Sequence, residues 1–188
     1  MPRQFTLVDE LQLDELALYH RDTEAALRLY FSPAAPTFAA RYLGEPPDSP
    51  RPMQDLESRL DESDVRSAFV VLTRLEATFR VDFDERCRQK LKDSLSRYFR
   101  EKRRDIERRG GRSTLRLSQD ILEGWKTCPP DPLRPNGALI SELRSALAFR
   151  HWFAHGRCYR TQNFPGRYDY VSVDLLARNI LAAFPFVN

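Results

Sequence analysis

Residues 144–157, RSALAFRHWFAHGR, form an apolar stretch that carries three basic side chains in its second half. An α-helix turns about 100° per residue, so each side chain can be placed around the helix axis from its number alone. Arg150 then lies in the middle of the apolar stripe, where a leucine is expected. His151, His155 and Arg144 share one edge of that stripe. Because apolar residues cover most of the remaining surface, we expect residues 138–155 to form the central, buried helix of the protein.

Two regions that precede this helix in the chain also have helical patterns, because apolar residues recur in them at spacings of three and four. We expect one or two helices between residues 7 and 30, with a break at residues 20–22. Two more are expected between residues 55 and 109, joined or bent near Asp82–Asp84. Gly110–Gly111 is the predicted end of the second of these.

The later helix boundaries are predicted from capping residues. Ser118 is expected to cap a short helix that ends near Lys126, and Asn136 to cap the central helix. Gly156 is the predicted stop of the central helix. Either Ser172 or Asp174 is expected to begin the last helix.

The prolines divide the chain into two parts. Residues 32–52 contain six prolines and predict a long loop rather than a regular helix. We therefore expect an N-terminal helical arm with a proline-rich loop over residues 1–52. Residues 53–188 are expected to form an all-α bundle of about five helices.

Composition predicts a cytoplasmic protein with no membrane-spanning helix. The net charge is +3, no apolar run reaches the length of a spanning helix, and the N-terminus carries acids where a secretory signal is apolar. The three cysteines are widely spaced, which does not suggest a disulfide framework. Only four of the 30 basic residues are lysines, and arginine provides the planar donors that suit phosphate and carboxylate.

Three interpretations of the basic side chains remain open at this point. A buried guanidinium needs a partner, so Arg150 is either paired within the fold, for instance with Glu76, or faces a cleft or a second subunit. His151 and His155 are four residues apart, a spacing that can bind zinc, although the HExxH pattern is absent. Residues 97–112 form a basic run that is either a solvated face or a phosphate-binding patch.

The string RHWFAHGR, residues 150–157, resembles the signature of the HEPN superfamily, in which an arginine is followed by four to six residues and then a histidine. The residue after the arginine is commonly Asn, Asp or His in that family, and here it is His151. The segments SELRSAL and RLEATFRVDF also resemble a bacterial subgroup of the family. The resemblance covers residues 138–160 most closely, extends over residues 55–188, and does not reach residues 1–50.

The resemblance implies a dimeric helical bundle, and in many members a metal-independent endoribonuclease without a cofactor that acts as a toxin or in antiviral defence. It implies that Arg150 and His155 are catalytic and that His151 assists them. Arg144, Arg157 and Tyr159 would contact RNA. The expected partners are RNA, a second copy of the chain, and an antitoxin or defence-operon protein, with no membrane.

One departure from the family pattern concerns regulation. Some HEPN toxins carry a modified tyrosine two residues after the histidine, and this chain has Arg157 there, with the nearest tyrosine at Tyr159. Other members of the family have lost catalysis and serve as scaffold or binding subunits. That second function is the alternative expectation for this chain.

Overall fold

A computed structural model describes residues 12–109, 115–130, 137–156 and 168–187, and these residues contain helices and no strands. The prediction of an all-α fold is therefore confirmed. The helices are α1 (Leu13–Tyr30), α2 (Phe38–Arg41), α3 (Arg51–Gln89), α4 (Ser94–Arg108), a π-helical turn (Leu117–Ile121), α5 (Leu122–Thr127), α6 (Gly137–Ala154) and α7 (Tyr170–Ala183).

The long helix α3 is the centre of the fold. It has 39 residues, and it contacts α1, α4, α6, α7 and the π-helical turn. Its buried side chains follow the helical repeat: Ala68, Val71, Leu72, Leu75, Phe79, Asp82, Phe83, Arg86 and Cys87. The prediction that residues 138–155 are the central helix was wrong, because α6 is about half as long as α3 and packs on one part of it.

The predicted bend near Asp82–Asp84 was also wrong. The helix continues to Gln89, Lys90 takes a left-handed φ of 54°, and α4 starts after Asp93. Asp93 caps α4, since its carboxylate accepts a hydrogen bond from the Ser96 amide at 2.9 Å. Asp82 does not break α3 because it is paired inside the same helix with Arg86, one turn later.

Helix α1 is continuous through residues 20–22, where a break was predicted. His20 holds this point against the bundle: its ring stacks on Tyr170 at 4.1 Å between centroids, and its Nδ1 lies 3.0 Å from the Ser67 hydroxyl. Arg178 of α7 also contacts Asp14 of α1 at 2.9 Å. The division into an arm and a bundle at residue 52 stays a prediction.

The proline-rich segment consists mainly of turns, as predicted, with the short helix α2 inside it. Helix α3 begins at Arg51 because Pro52 is in its first turn, where a helix does not need the missing N–H.

Two predicted boundaries differ from the structure, and two lie outside the described residues. Ser118 does not cap a helix: the π-helical turn already begins at Leu117, and α5 follows it directly. The cap of α7 is Asp169, whose carboxylate accepts the Ser172 amide at 2.8 Å, so α7 begins earlier than predicted. Gly110–Gly111 and Asn136 lie outside the described residues.

Candidate functional site at the end of helix 6

The core-facing side of α6 carries Ile140, Leu143, Ala146 and Phe149. Arg150 follows the last of them on the same side of the helix. Its side chain is 27% exposed because the buried stripe stops at Phe149 and the last turn of α6 emerges from the bundle. Gly156 has a φ of +70°, and its amide bonds to the Phe153 carbonyl at 3.1 Å. The predicted glycine stop is therefore confirmed.

Arg150 is bound to α3 through Glu76. One of its terminal nitrogens, Nη1, lies 3.2 Å from Glu76 Oε2, and its guanidinium lies 5.8 Å from the centre of the Phe69 ring. Glu76 also accepts two hydrogen bonds from Arg80, at 2.9 and 2.8 Å, on its other oxygen. The pairing of Arg150 with an acid of the fold therefore exists, and one carboxylate serves two guanidinium groups.

His151 and His155 lie together on the solvent side of the same turn. Both residues are exposed, and their ring centroids are 4.2 Å apart with the ring planes inclined at 63°. The His155 amide donates to the His151 carbonyl at 3.1 Å, which continues the helical hydrogen bonding past Ala154. Two imidazoles are therefore presented side by side at the end of α6, one and five residues after Arg150.

Arg144 is held two turns earlier by the π-helical turn and α5. Its Nη2 donates to Glu123 Oε2 at 2.6 Å and to the Ser118 carbonyl at 3.0 Å. The hydrogen bond from Arg144 lowers the pKa of Glu123, as expected for a carboxylate with a charged donor. Arg144 thus links three elements of the fold. Arg157 and Tyr159, the other predicted RNA contacts, lie outside the described residues.

Several basic side chains of α4 also contact the fold. Lys102 lies 3.6 Å from Asp120, Arg103 pairs with Asp84, and Arg100 donates to the Leu91 carbonyl at 2.7 Å. This part of the basic run therefore helps to attach α4 to its neighbours.

Sequence reasoning named Glu76 as a partner for Arg150 but missed Arg80 and Phe69. Both could have been found from spacing, since residues 69, 76 and 80 repeat at seven and four along one face of α3. Phe153 of α6 packs against Phe69 with ring centroids 5.1 Å apart.

The described residues also bear on metal binding and on membranes. No group of three His, Cys, Asp or Glu side chains is arranged to hold a metal ion in those residues. None of the described helices is both long and apolar enough to cross a membrane.

Comparison with known proteins adds no relative: no family model, curated protein or solved structure matches this chain.

Proposed function

We propose that this chain is a metal-independent endoribonuclease of the HEPN type that acts as a symmetric dimer. The observation that carries the proposal is the pair of exposed imidazoles of His151 and His155, 4.2 Å apart at the end of the helix that also carries Arg150. Histidine is the side chain best suited to exchange protons near neutral pH. An arginine supplies the positive charge that phosphoryl chemistry needs.

The proposed reaction starts with attack of a ribose 2′-OH on the adjacent phosphorus. His155 acts as general acid–base, and the second copy of His155 in the dimer provides the other proton transfer. Arg150 stabilises the charge that develops on the non-bridging oxygens, and His151 orients the nucleotide. The bond from phosphorus to the 5′-oxygen breaks, which leaves a 2′,3′-cyclic phosphate and a 5′-OH. DNA is not cleaved because it lacks the nucleophile.

The contacts of Arg150 are compatible with this role. Glu76 already accepts two hydrogen bonds from Arg80, so a phosphate that draws Arg150 away does not leave a carboxylate without a partner. The 27% exposure of the Arg150 side chain leaves part of it accessible to a substrate.

The test is cleavage of structured and unstructured RNA by the purified protein in EDTA. We expect His155→Ala to lower the cleavage rate by about 10²–10⁴, the usual contribution of a general acid–base. His20→Asn is the matched control, because His20 packs between helices and has no proposed role in cleavage. Mass spectrometry should find cyclic phosphate ends. Absence of cleavage by the wild type, or equal rates for His155→Ala and His20→Asn, would refute the proposal.

Arg150→Lys separates catalysis from structure. Lysine keeps the positive charge beside Glu76 but loses the planar donors, so the melting temperature should change little while cleavage falls. Size-exclusion chromatography with light scattering should find a dimer. If Arg150→Lys lowers the melting temperature and leaves the cleavage rate unchanged, Arg150 is structural.

The second candidate function is a non-catalytic dimeric scaffold or binding subunit of an antitoxin or defence system. It is favoured by the ion pairs of Arg150 with Glu76 and of Arg144 with Glu123, which engage both arginines within the fold. In that case Glu76→Gln and Arg150→Ala should destabilise the protein similarly. The wild type and both variants should leave RNA uncleaved.

A further inference from the structure

A second cleft lies far from the end of α6, between the end of α1, the α2 turn and the start of α3. Its volume is about 760 Å³, and its walls include three arginines and three aromatic rings: Tyr30, Phe31, Arg41, Tyr42, Arg51 and Arg59. Clefts of this size hold small organic ligands rather than single ions. The residue types suggest a ligand that has both negative charge and a flat ring.

The charge of the cleft favours an anion. Its walls carry three arginines against Asp55 as the single acid, which gives a formal charge of +2. Glu45 reduces this to +1 because it pairs with Arg51 at 2.6 Å, and the bond from Arg51 lowers the pKa of Glu45. Arg59 is exposed and makes no hydrogen bond or ion pair with the described residues, so its guanidinium is available to a phosphate.

Arg41 has donors that the fold does not satisfy. One nitrogen, Nη2, donates to the Tyr30 carbonyl, while Nε and Nη1 are buried and have no hydrogen-bond partner. Buried donors without a partner are rare in proteins, and each of them calls for an acceptor. Both nitrogens are shielded from solvent, so an anion in the cleft reaches them when the Arg41 side chain turns outward.

The aromatic rings provide a surface on which a base can stack. The Arg41 guanidinium covers one face of Tyr30 at 3.6 Å from the ring centre, yet Tyr30 is still 49% exposed. The Phe31 ring lies 5.2 Å from the Tyr30 ring in an edge arrangement, and the part of Tyr30 that stays exposed is available to a base. Tyr42 is fixed beside it, since its hydroxyl donates to Asp55 at 3.2 Å. Bases stack on such rings with little sequence preference.

We propose that this cleft binds a nucleoside phosphate, with the phosphate on Arg59 and Arg41 and the base on Tyr30. The ligand is either a free nucleotide or one unit of a single strand, which share this chemistry. The proposal does not depend on RNA cleavage, because none of these side chains belongs to the α6 site.

The test is calorimetric titration of the full chain with AMP, with inorganic phosphate and with a 2′-deoxy oligonucleotide of eight adenines. We expect AMP to bind about 10-fold tighter than phosphate, a factor that one stacked base supplies. Tyr30→Leu should reduce the affinity for AMP to that for phosphate, and Tyr30→Phe should keep it. Saturation by AMP identifies a free nucleotide, and saturation by the oligonucleotide alone identifies a single strand.

The charge control is a matched pair of variants on α3. Arg59→Gln and Arg88→Gln each remove one exposed arginine, but Arg88 lies at the far end of the helix, where it pairs with Glu85. Arg59→Gln should weaken AMP about 10-fold and Arg88→Gln less than twofold. Equal weakening by the two variants, equal affinity for AMP and phosphate where both bind, or no binding of any probe at millimolar concentration would overturn the proposal.

Discussion

The buried ion pair of Arg86 and Asp82 offers the sharpest test of how this fold is stabilised. The two side chains are only 3% and 1% exposed, and Arg86 Nε lies 2.9 Å from each carboxylate oxygen. Arg86 Nη2 also donates to the Pro185 carbonyl at 2.6 Å, and Asp82 accepts the Val187 amide at 2.8 Å. The pair therefore attaches the segment after α7 to the C-terminal part of α3.

Arg86→Leu should lower the free energy of unfolding by about 3–5 kcal/mol, the usual cost of leaving one partner of a buried pair uncompensated. Among the described residues, the carboxylate of Asp82 would then keep the Val187 amide alone as a donor. Leucine fills part of the space of the arginine, so most of the loss is electrostatic rather than a cavity effect. Arg66→Leu is the matched control, because Arg66 pairs with Glu62 at 70% exposure and such pairs contribute less than about 1 kcal/mol.

The double variant Asp82→Asn with Arg86→Leu distinguishes a charge effect from a packing effect. The amide oxygen of asparagine can still accept the Val187 amide but carries no charge, so the double variant should be more stable than Arg86→Leu alone. Urea unfolding followed by circular dichroism and tryptophan fluorescence gives the required free energies. A loss below about 1 kcal/mol for Arg86→Leu, or a double variant less stable than the single one, would refute this account.

Three further predictions concern pH, packing and capping. Burial raises the pKa of Asp82 to about 6 from its ordinary 3.8, so between these pH values the folded state binds a proton that the unfolded state has lost. The stability of the wild type relative to Asp82→Asn should therefore fall as the pH rises from about 4 to about 6. Gly124→Ala should cost about 1–3 kcal/mol in urea unfolding, because a Cβ there would lie 2.7 Å from the Phe99 ring, whereas Gly137→Ala should cost nothing, since no atom lies within 4 Å of its added Cβ. Asp169→Ala should lower the melting temperature by removing the cap of α7, a loss of about 1 kcal/mol that Asp169→Asn should largely restore.

Local patterns predicted most of the helices because the spacing of apolar residues and the position of a terminal glycine can be read from the sequence alone. The apolar stripe of α3 and the helix end at Gly156 are examples. The burial of Asp82 could not be predicted from local spacing, since its contacts include an amide 105 residues later in the chain. Lys90, which ends α3 with a left-handed φ, is not a glycine, so its residue type did not indicate the end of the helix.

The candidate site was predictable where it depends on one helix. Placing side chains at 100° per residue put His151 beside His155 and put Arg150 on the core-facing side of the helix. Glu76 was named as an example of an acid that could pair with Arg150. The partner of Arg144 was not predictable, because Glu123 comes just after the π-helical turn. A π-helical turn has a wider repeat than an α-helix and shifts the phase of the residues that follow it. Side-chain directions calculated at 100° per residue are therefore wrong for residues beyond such a turn.

The cluster around Glu76 reconciles the two roles that Arg150 can have. One carboxylate with two guanidinium groups leaves one positive charge in excess, and Arg150 is the group at the exposed end of α6. If Arg80 alone satisfies Glu76, then Arg150→Ala should destabilise the fold by less than Glu76→Ala, which leaves two arginines close together without an acid. An arginine that the fold holds in place but does not need for its stability is suited to bind a substrate phosphate. Equal destabilisation by Arg150→Ala and Glu76→Ala would instead assign Arg150 to the structure alone.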